Sequence, residues 1–299
     1  MLEEPKRWKR SALVGMRRIN TVTSDDGTSI ACWTGGHGPQ LVLVHGTTAS
    51  HTRWAPIRSR FEEHFTVTAI DRRGCGESGD APDYAIEREF EDVAAVVESL
   101  APPVLLFGHS YGALCALGAA MQTDKLRGLI LYEPWIVSKG ESLYTPEQLE
   151  RLDTLLAVGD RQGVVLALFA EIAGFSPHEM ELLTSSPFWP DRVAAAHTIP
   201  RESRAEETYR LPADQAGKLP IPVLLLLGGD SPPLAGKVNA MLEKTLPNAR
   251  TVVMPGQQHM AIDTSPDLVV GAVFHFWQEL GRRGDRATPE EEAEEHDRV

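Results

Sequence analysis

The chain has 299 residues, with 42 Asp+Glu against 29 Lys+Arg and a formal net charge of −13. That length can bury a real core in one large or two small domains, and the acidity excludes a general affinity for nucleic acid or an anionic membrane. Hydrophobic residues at 42% and charged ones at 24% are ordinary globular values, which rules out a wholly disordered, collagen-like or fibrous chain.

Residues 1–17 read as an N-terminal extension, basic because six Lys/Arg against two Glu fall within residues 1–20. Its apolar stretch, Ser11 to Met16, is too short for a signal-peptide h-region. The sheet begins with Arg18 to Thr23 and Ser29 to Thr34, which flank Asp25-Asp26-Gly27-Thr28, a good hairpin turn. Short runs rich in Val, Leu and Ile follow at Gln40 to Val44, Phe65 to Ile70, Val104 to Phe107, Leu129 to Tyr132, Val223 to Leu227 and Thr251 to Met254. They alternate with segments of helical period, the mark of a parallel sheet with crossover helices. Ile86, Phe90, Val93, Val97 and Leu100, for example, form one apolar stripe opposite Glu87, Arg88, Glu91 and Asp92.

About 90 residues separate the runs at Leu129 and Val223, far more than a βα connection needs, so an inserted structure is expected there. Its content is helical, at Pro146 to Val158, Arg161 to Ala173, His178 to Thr184 and Asp191 to Ala196. The final helix starts at Ser265-Pro266-Asp267 and is expected to stop at Gly281, leaving 282–299 as a disordered acidic tail. No apolar run reaches the roughly 18 residues of a membrane span. Cys32, Cys75 and Cys115 are too few and scattered for a disulfide framework, so a cytoplasmic, reducing location is expected.

Chemistry concentrates where Val104-Leu105-Leu106-Phe107 runs into Gly108-His109-Ser110-Tyr111-Gly112 and a helix follows. This is G-x-S-x-G in a strand-turn-helix context. The turn crowds its neighbours, so glycine is needed two positions either side of Ser110, whose hydroxyl then stands exposed beside the positive end of the helix. A serine needs a base, and the base needs an acid to fix its tautomer. His259, in the loop after the last strand, is the candidate base. Asp230, in the turn Gly228-Gly229-Asp230-Ser231-Pro232 after a strand, is the candidate acid, with Glu133 after Tyr132 in reserve. An acyl-transfer site also needs oxyanion donors, for which the backbone amides of Thr47 and Tyr111 are the candidates. Trp54, Trp135, Phe188 and Trp189 are candidate pocket residues.

Two further patterns carry no site. Gly74-Cys75-Gly76-Glu77-Ser78-Gly79 matches G-x-G-x-x-G, but Asp80-Ala81-Pro82-Asp83 separates it from the next helix, so it is read as a compact loop pinned by Asp71, Arg72 and Arg73. No His/Cys/Asp/Glu group has metal-ligand spacing, and neither a metal nor a cofactor is expected.

With His45-Gly46, Asp71-Arg72-Arg73-Gly74-Cys75-Gly76-Glu77-Ser78, the Ser110 elbow, Gly228-Gly229-Asp230 and Gln258-His259, the sequence resembles the α/β-hydrolase superfamily over roughly residues 18–281. The resemblance implies an eight-stranded, mostly parallel sheet flanked by helices, with core segments 18–133 and 219–281 and a helical cap at 134–218. It also implies Ser/Asp/His catalysis without metal, through Ser110, Asp230 and His259. Serine at the elbow disfavours epoxide or carbon–halogen chemistry, for which members carry aspartate. The expected activity is hydrolysis of a small-molecule carboxylic ester, lactone or thioester. The alternatives are C–C bond hydrolysis, lyase or cyclase chemistry on the same fold, and ligand binding with vestigial hydrolysis.

Overall fold

The apolar runs become eight strands: β1 (Arg18–Thr23), β2 (Ser29–Gly36), β3 (Gln40–Val44), β4 (Thr66–Ile70), β5 (Val104–His109), β6 (Leu126–Tyr132), β7 (Val223–Gly228) and β8 (Ala249–Met254). The structure, a computed structural model, describes residues 18–137 and 140–285. The expected extension at 1–17 and the acidic tail from 286 onward lie outside the described residues. The strands form one sheet in the order β1-β2-β4-β3-β5-β6-β7-β8, with β2 antiparallel to β1 and β4 and the remaining neighbours parallel. The expected antiparallel start and parallel continuation are both present.

Strand parity builds two core layers, because successive side chains leave a strand on opposite faces. Val42, Val44, Leu106, Leu129, Leu131, Val223 and Leu225 face one layer, with the helices Ile86–Glu98, Tyr111–Ala120 and Pro233–Thr245. Leu41, Leu43, Leu105, Phe107, Ile130, Tyr132, Leu224 and Leu226 face the other, with Trp54, Phe61 and the helix Pro266–Asp285. Continuous apolar runs in the sequence are therefore strands covered on both sides. The last helix passes Gly281, where the sequence reading ended it, because one exposed glycine costs a helix only about 1 kcal/mol.

Between β6 and β7 the chain forms the helices Pro146–Ala157, Arg161–Leu166, Pro177–Ser185, Trp189–Ala194 and Ile199–Thr208, and a π-helical turn at Ala167–Ile172. Thr145 and Ser176 start two of these helices with capping boxes, each followed by proline in the first turn. Leu152, Val164, Val165, Leu168, Leu183 and Ile199 give the insertion an apolar cluster of its own.

The helix Ile199–Thr208 was not foreseen from the sequence. It buries Glu202, Ser203 and Glu206 beside Ile199 and Pro200, so its inner face shows little apolar stripe. That face is held by ions. Arg72, after β4, donates through Nε and Nη2 to Glu89 at 2.9 and 2.6 Å, and through Nη2 to Glu202 at 2.8 Å. The Tyr144 hydroxyl donates to Glu206. Burial, reinforced by the Glu202 carboxylate, pushes Glu206 up to about 8.

The protonated Glu206 is thus favoured by the fold, and the sign follows directly. Its stabilisation is complete below the ordinary carboxylate value of 4.5 and is lost as the pH rises towards about 8. The Tm of the wild type should therefore fall between pH 5 and pH 8 more steeply than that of Glu206→Gln, as measured by thermal denaturation at matched ionic strength.

Candidate active site

Ser110 sits where β5 turns into the helix Tyr111–Ala120, with φ 58° and ψ −128°. A side chain at position 108 would meet the Gly112 carbonyl oxygen at 2.3 Å, and one at position 112 would meet the carbonyl oxygens of Val44 and His45, each at 2.3 Å. Both flanking positions must therefore be glycine, as the pentapeptide implied. The Ser110 amide donates to the Tyr132 carbonyl at 2.8 Å, which fixes the turn against the end of β6.

His259 lies after β8 and is almost fully buried. Its loop is tied down at several points. The Tyr132 hydroxyl donates to the Gln258 carbonyl and accepts from the Ala261 amide, and the His259 carbonyl accepts from His109 Nε2 at 3.1 Å. The Nδ1 of His259 stands 2.6 Å from Glu133 Oε2. With Nδ1–H donated there, the Nε2 lone pair is left for another partner.

The carboxylate facing His259 is accordingly Glu133, the reserve candidate, and not Asp230. Glu133 is buried, whereas Asp230 is exposed. Asp230 contributes only its backbone, the amide donating to the Gln257 carbonyl at 2.9 Å and the carbonyl accepting from Gln258 Nε2 at 3.1 Å. The turn after β7 serves the other acid: the Gly228 amide and the Ser231 hydroxyl donate to Glu133 Oε1 at 2.8 and 2.6 Å. Burial alone would raise the Glu133 carboxyl, but the bonds from His259, Ser231 and Gly228 outweigh it and hold it below the usual range.

The loop after β3 approaches from the opposite side. His45 is fully buried, and burial followed by the Arg72 charge lowers it to about 3, so it is neutral. Its Nδ1 donates to the Gly46 carbonyl at 2.8 Å while Nε2 accepts from the Arg72 amide at 3.0 Å, an assignment that the neutral ring requires. Gly46 is needed because a Cβ there would lie 2.8 Å from Ser110 Cβ. Thr48, next to Thr47, adopts φ 57°. Thr48, Ser110 and Glu133 are the non-glycine residues of positive φ among the described residues, and all belong to this site.

The loop after β4 forms the expected scaffold. Asp71 accepts from the His51 amide at 2.6 Å, Trp33 Nε1 at 3.0 Å and the Glu77 amide at 3.0 Å. Arg73 grips Asp92 through Nε and Nη2, both at 2.7 Å, and reaches Asp26 at 2.8 Å. Among the described residues no group of three or more His, Cys, Asp and Glu could hold a metal ion.

Ser110 and His259 open on a common cavity of about 20 Å³, room for little more than one water, lined also by Thr47, Arg53, His109, Phe169, Phe175 and Arg192. The four aromatic residues expected to line it do not. Trp54 is fully buried in the core, tilted against Phe107 at 5.0 Å, and Trp189 packs against the insertion's apolar cluster. Trp135 and Phe188 are partly exposed away from the cavity wall. Phe169, from the π-helical turn, and Phe175, just after it, take their place. Arg53 and Arg192, which no sequence pattern singled out, complete the wall.

Residues 41–272 match the Alpha/beta hydrolase family. A solved α/β hydrolase from Sphaerobacter thermophilus is 36% identical, covers 86% of this chain and 100% of its own, and superposes with a TM-score of 0.76. A 2-(acetamidomethylene)succinate hydrolase from Mesorhizobium japonicum is 26% identical over 81% of this chain and 88% of its own. A pimeloyl-[acyl-carrier protein] methyl ester esterase from Stenotrophomonas maltophilia is 29% identical over 81% of this chain and 93% of its own.

Gly112→Ala would drive a methyl group into two backbone oxygens that cannot rotate away. It should destabilise the fold by roughly 2 kcal/mol or more, the overpacking range, in urea denaturation followed by circular dichroism.

Proposed function

The chain belongs to the α/β hydrolase family, and from that premise we propose that it is a serine hydrolase cleaving carboxylic esters, lactones or thioesters through an acyl-enzyme on Ser110. Its relatives include a hydrolase and a methyl ester esterase, and it is an enzyme of the hydrolase class. The observation that carries the finer reading is the 2.6 Å contact between His259 Nδ1 and the buried Glu133, on a cavity that His259 shares with the strained Ser110.

Chemically, Glu133 fixes the tautomer in which His259 Nε2 is a base. Ser110 Oγ adds to the substrate carbonyl as its proton passes to Nε2. The tetrahedral adduct then collapses, the bond to the leaving oxygen or sulfur breaks, and that atom departs with the proton from Nε2. Water repeats the sequence on the acyl-enzyme: its proton goes to Nε2, its oxygen stays with the acid product, and Ser110 leaves reprotonated. Negative charge on the carbonyl oxygen would be met by the amides of Thr47 and Tyr111. Neither donates to another backbone carbonyl among the described residues, and Tyr111 opens the helix, where amide groups are free.

The insertion between β6 and β7 would act as a cap, since Phe169, Phe175, Leu183 and Arg192 close the cavity from that side. The small cavity volume supports a cap that must shift to admit substrate. Among the described residues no helix is long and apolar enough to cross a membrane. The buried free thiols of Cys32, Cys75 and Cys115 fit a reducing, cytoplasmic location.

Hydrolysis of short-chain acyl esters should be abolished in Ser110→Ala, together with labelling by a fluorophosphonate probe. Retention of both would overturn the reading.

The assignment of the acid is tested separately. Glu133→Gln should lower kcat about 10⁴-fold, the scale of a triad left in the wrong tautomer. Asp230→Asn should change it by less than about two-fold, because the exposed Asp230 side chain makes no hydrogen bond in the site among the described residues. Steady-state kinetics on the same ester would decide, and the reverse ranking would restore Asp230 as the acid.

A further inference from the structure

Two arginines flank the cavity that holds Ser110, and their hydrogen-bonding capacity is mostly unused. Arg53 lies in the 3-10 turn His51–Trp54 and is 6% exposed. Its Nη1 donates to Asp263 Oδ2 at 2.6 Å, but its Nε and Nη2 are buried without a partner. Arg192 comes from the insertion helix Trp189–Ala194 and reaches across to the loop after β3. There Nη1 donates weakly to the Thr47 carbonyl at 3.3 Å and the Thr48 hydroxyl at 3.4 Å. Among the described residues Arg192 forms no ion pair with a carboxylate.

Counting charge at the cavity gives two guanidinium groups against the single carboxylate of Asp263, since Glu133 is engaged by His259. Burial and then the neighbouring Arg53 charge draw Arg192 down to about 10, which leaves it cationic at neutral pH. The unfilled donors of the buried Arg53 are costly, and with the half-buried Arg192 beside them they make a receptor for an acceptor group. What fits two guanidinium faces in a compact space is a planar anion with paired oxygens. A carboxylate has that shape and can accept from both nitrogens of a guanidinium fork.

We propose that the cavity selects substrates bearing a free carboxylate, so that the hydrolase acts on half-esters or similar mono-acyl derivatives of dicarboxylic acids, with Arg53 and Arg192 receiving the anion. The proposal rests on Ser110 as nucleophile and adds the chemical class of its substrate. Arg53 and Arg192 are specificity residues: they hold the remote end of the substrate while Ser110 attacks the ester carbonyl. Binding energy from that end positions the carbonyl, so its loss lowers kcat/KM.

The test compares kcat/KM for monomethyl esters of linear dicarboxylic acids, from malonate to adipate, with that for the matching dimethyl esters. The wild type should prefer at least one half-ester by about 30-fold or more, and Arg192→Gln should bring that preference close to parity, the scale for losing one partner of a charge pair. Arg192→Lys keeps the charge but not the fork and should fall between the two. Arg53→Gln should act in the same direction. Because it also frees Asp263, its Tm is measured alongside, and Arg192→Gln decides the matter if Arg53→Gln does not fold. In parallel, the free dicarboxylates should slow fluorophosphonate labelling of Ser110 in the wild type and do so less in Arg192→Gln.

Diesters turned over as well as half-esters, or labelling indifferent to dicarboxylates, would overturn the carboxylate assignment while leaving the serine mechanism standing. Turnover that persists in Ser110→Ala would instead overturn the mechanism on which it rests.

Discussion

The register of β5 against β6 is the constraint from which the site is built. His109 pairs with Tyr132 at the ends of two parallel strands, so the next residue of each chain, Ser110 and Glu133, leaves the sheet at the same level. Both depart with positive φ, 58° and 46°, and the Ser110 amide is bonded to the Tyr132 carbonyl between them. A slip of one residue would exchange the faces of β6, sending Tyr132 into the opposite layer and away from the loop that carries His259. The serine, the carboxylate and the anchor of the histidine loop are thus set by one pairing. The strain of two left-handed residues, on the order of 1–3 kcal/mol each, is borne by strands buried on both faces.

Beneath that pairing lies an ionic layer that joins core to insertion. Arg72 places its guanidinium 4.4 Å from the centre of the Tyr111 ring, directly behind the elbow, and divides its donors between Glu89 of the core and Glu202 of the insertion. Such pairs add little net stability, since desolvation offsets most of their attraction, but they are sensitive to geometry. An apolar contact in the same place would tolerate sliding. The ions fix the angle at which the helix Ile199–Thr208 meets the core, and the backbone of Arg72 carries the fixation on to His45 and the loop of Thr47.

That ionic layer also explains what the sequence disclosed and what it hid. Apolar runs covered on both faces, a glycine-flanked serine between strand and helix, and a hairpin Asp-Gly are local signals with local causes, and all appear in the structure. The helix Ile199–Thr208 carries no such signal, because it is held by Glu202 and Glu206 in place of an apolar stripe. The choice between Glu133 and Asp230 was equally out of reach: each follows a strand, and the strands β6 and β7 are neighbours. The decision belongs to the turn after β7, which folds its amide and Ser231 hydroxyl onto Glu133 and leaves the Asp230 side chain outside. The pocket wall was misjudged for a related reason. Trp54 follows the loop of Thr47 in sequence but fills the core, while a π-helical turn, which no periodicity announces, supplies Phe169, with Phe175 three residues beyond it.

Arg192 links the insertion to the loop after β3. It is carried by the insertion, yet its donors rest on Thr47 and Thr48, the loop proposed to hold the oxyanion. At 3.3 and 3.4 Å these are weak bonds, which a carboxylate would surpass. The arginine therefore touches the Thr47 loop from the insertion, and under the proposal a substrate anion at the same guanidinium would either bridge to Arg53 or replace these contacts. Either way the contact between insertion and core would respond to the charge of the ligand. The body of the chain is strongly acidic, so it offers no long-range attraction to an anion, and at physiological ionic strength exposed charges reach only about 8 Å. Any preference for an anionic substrate must then arise inside the cavity, which Arg53 and Arg192 line together with Ser110. On that proposal selectivity is a matter of contact inside the cavity, set by a residue that the insertion itself supplies.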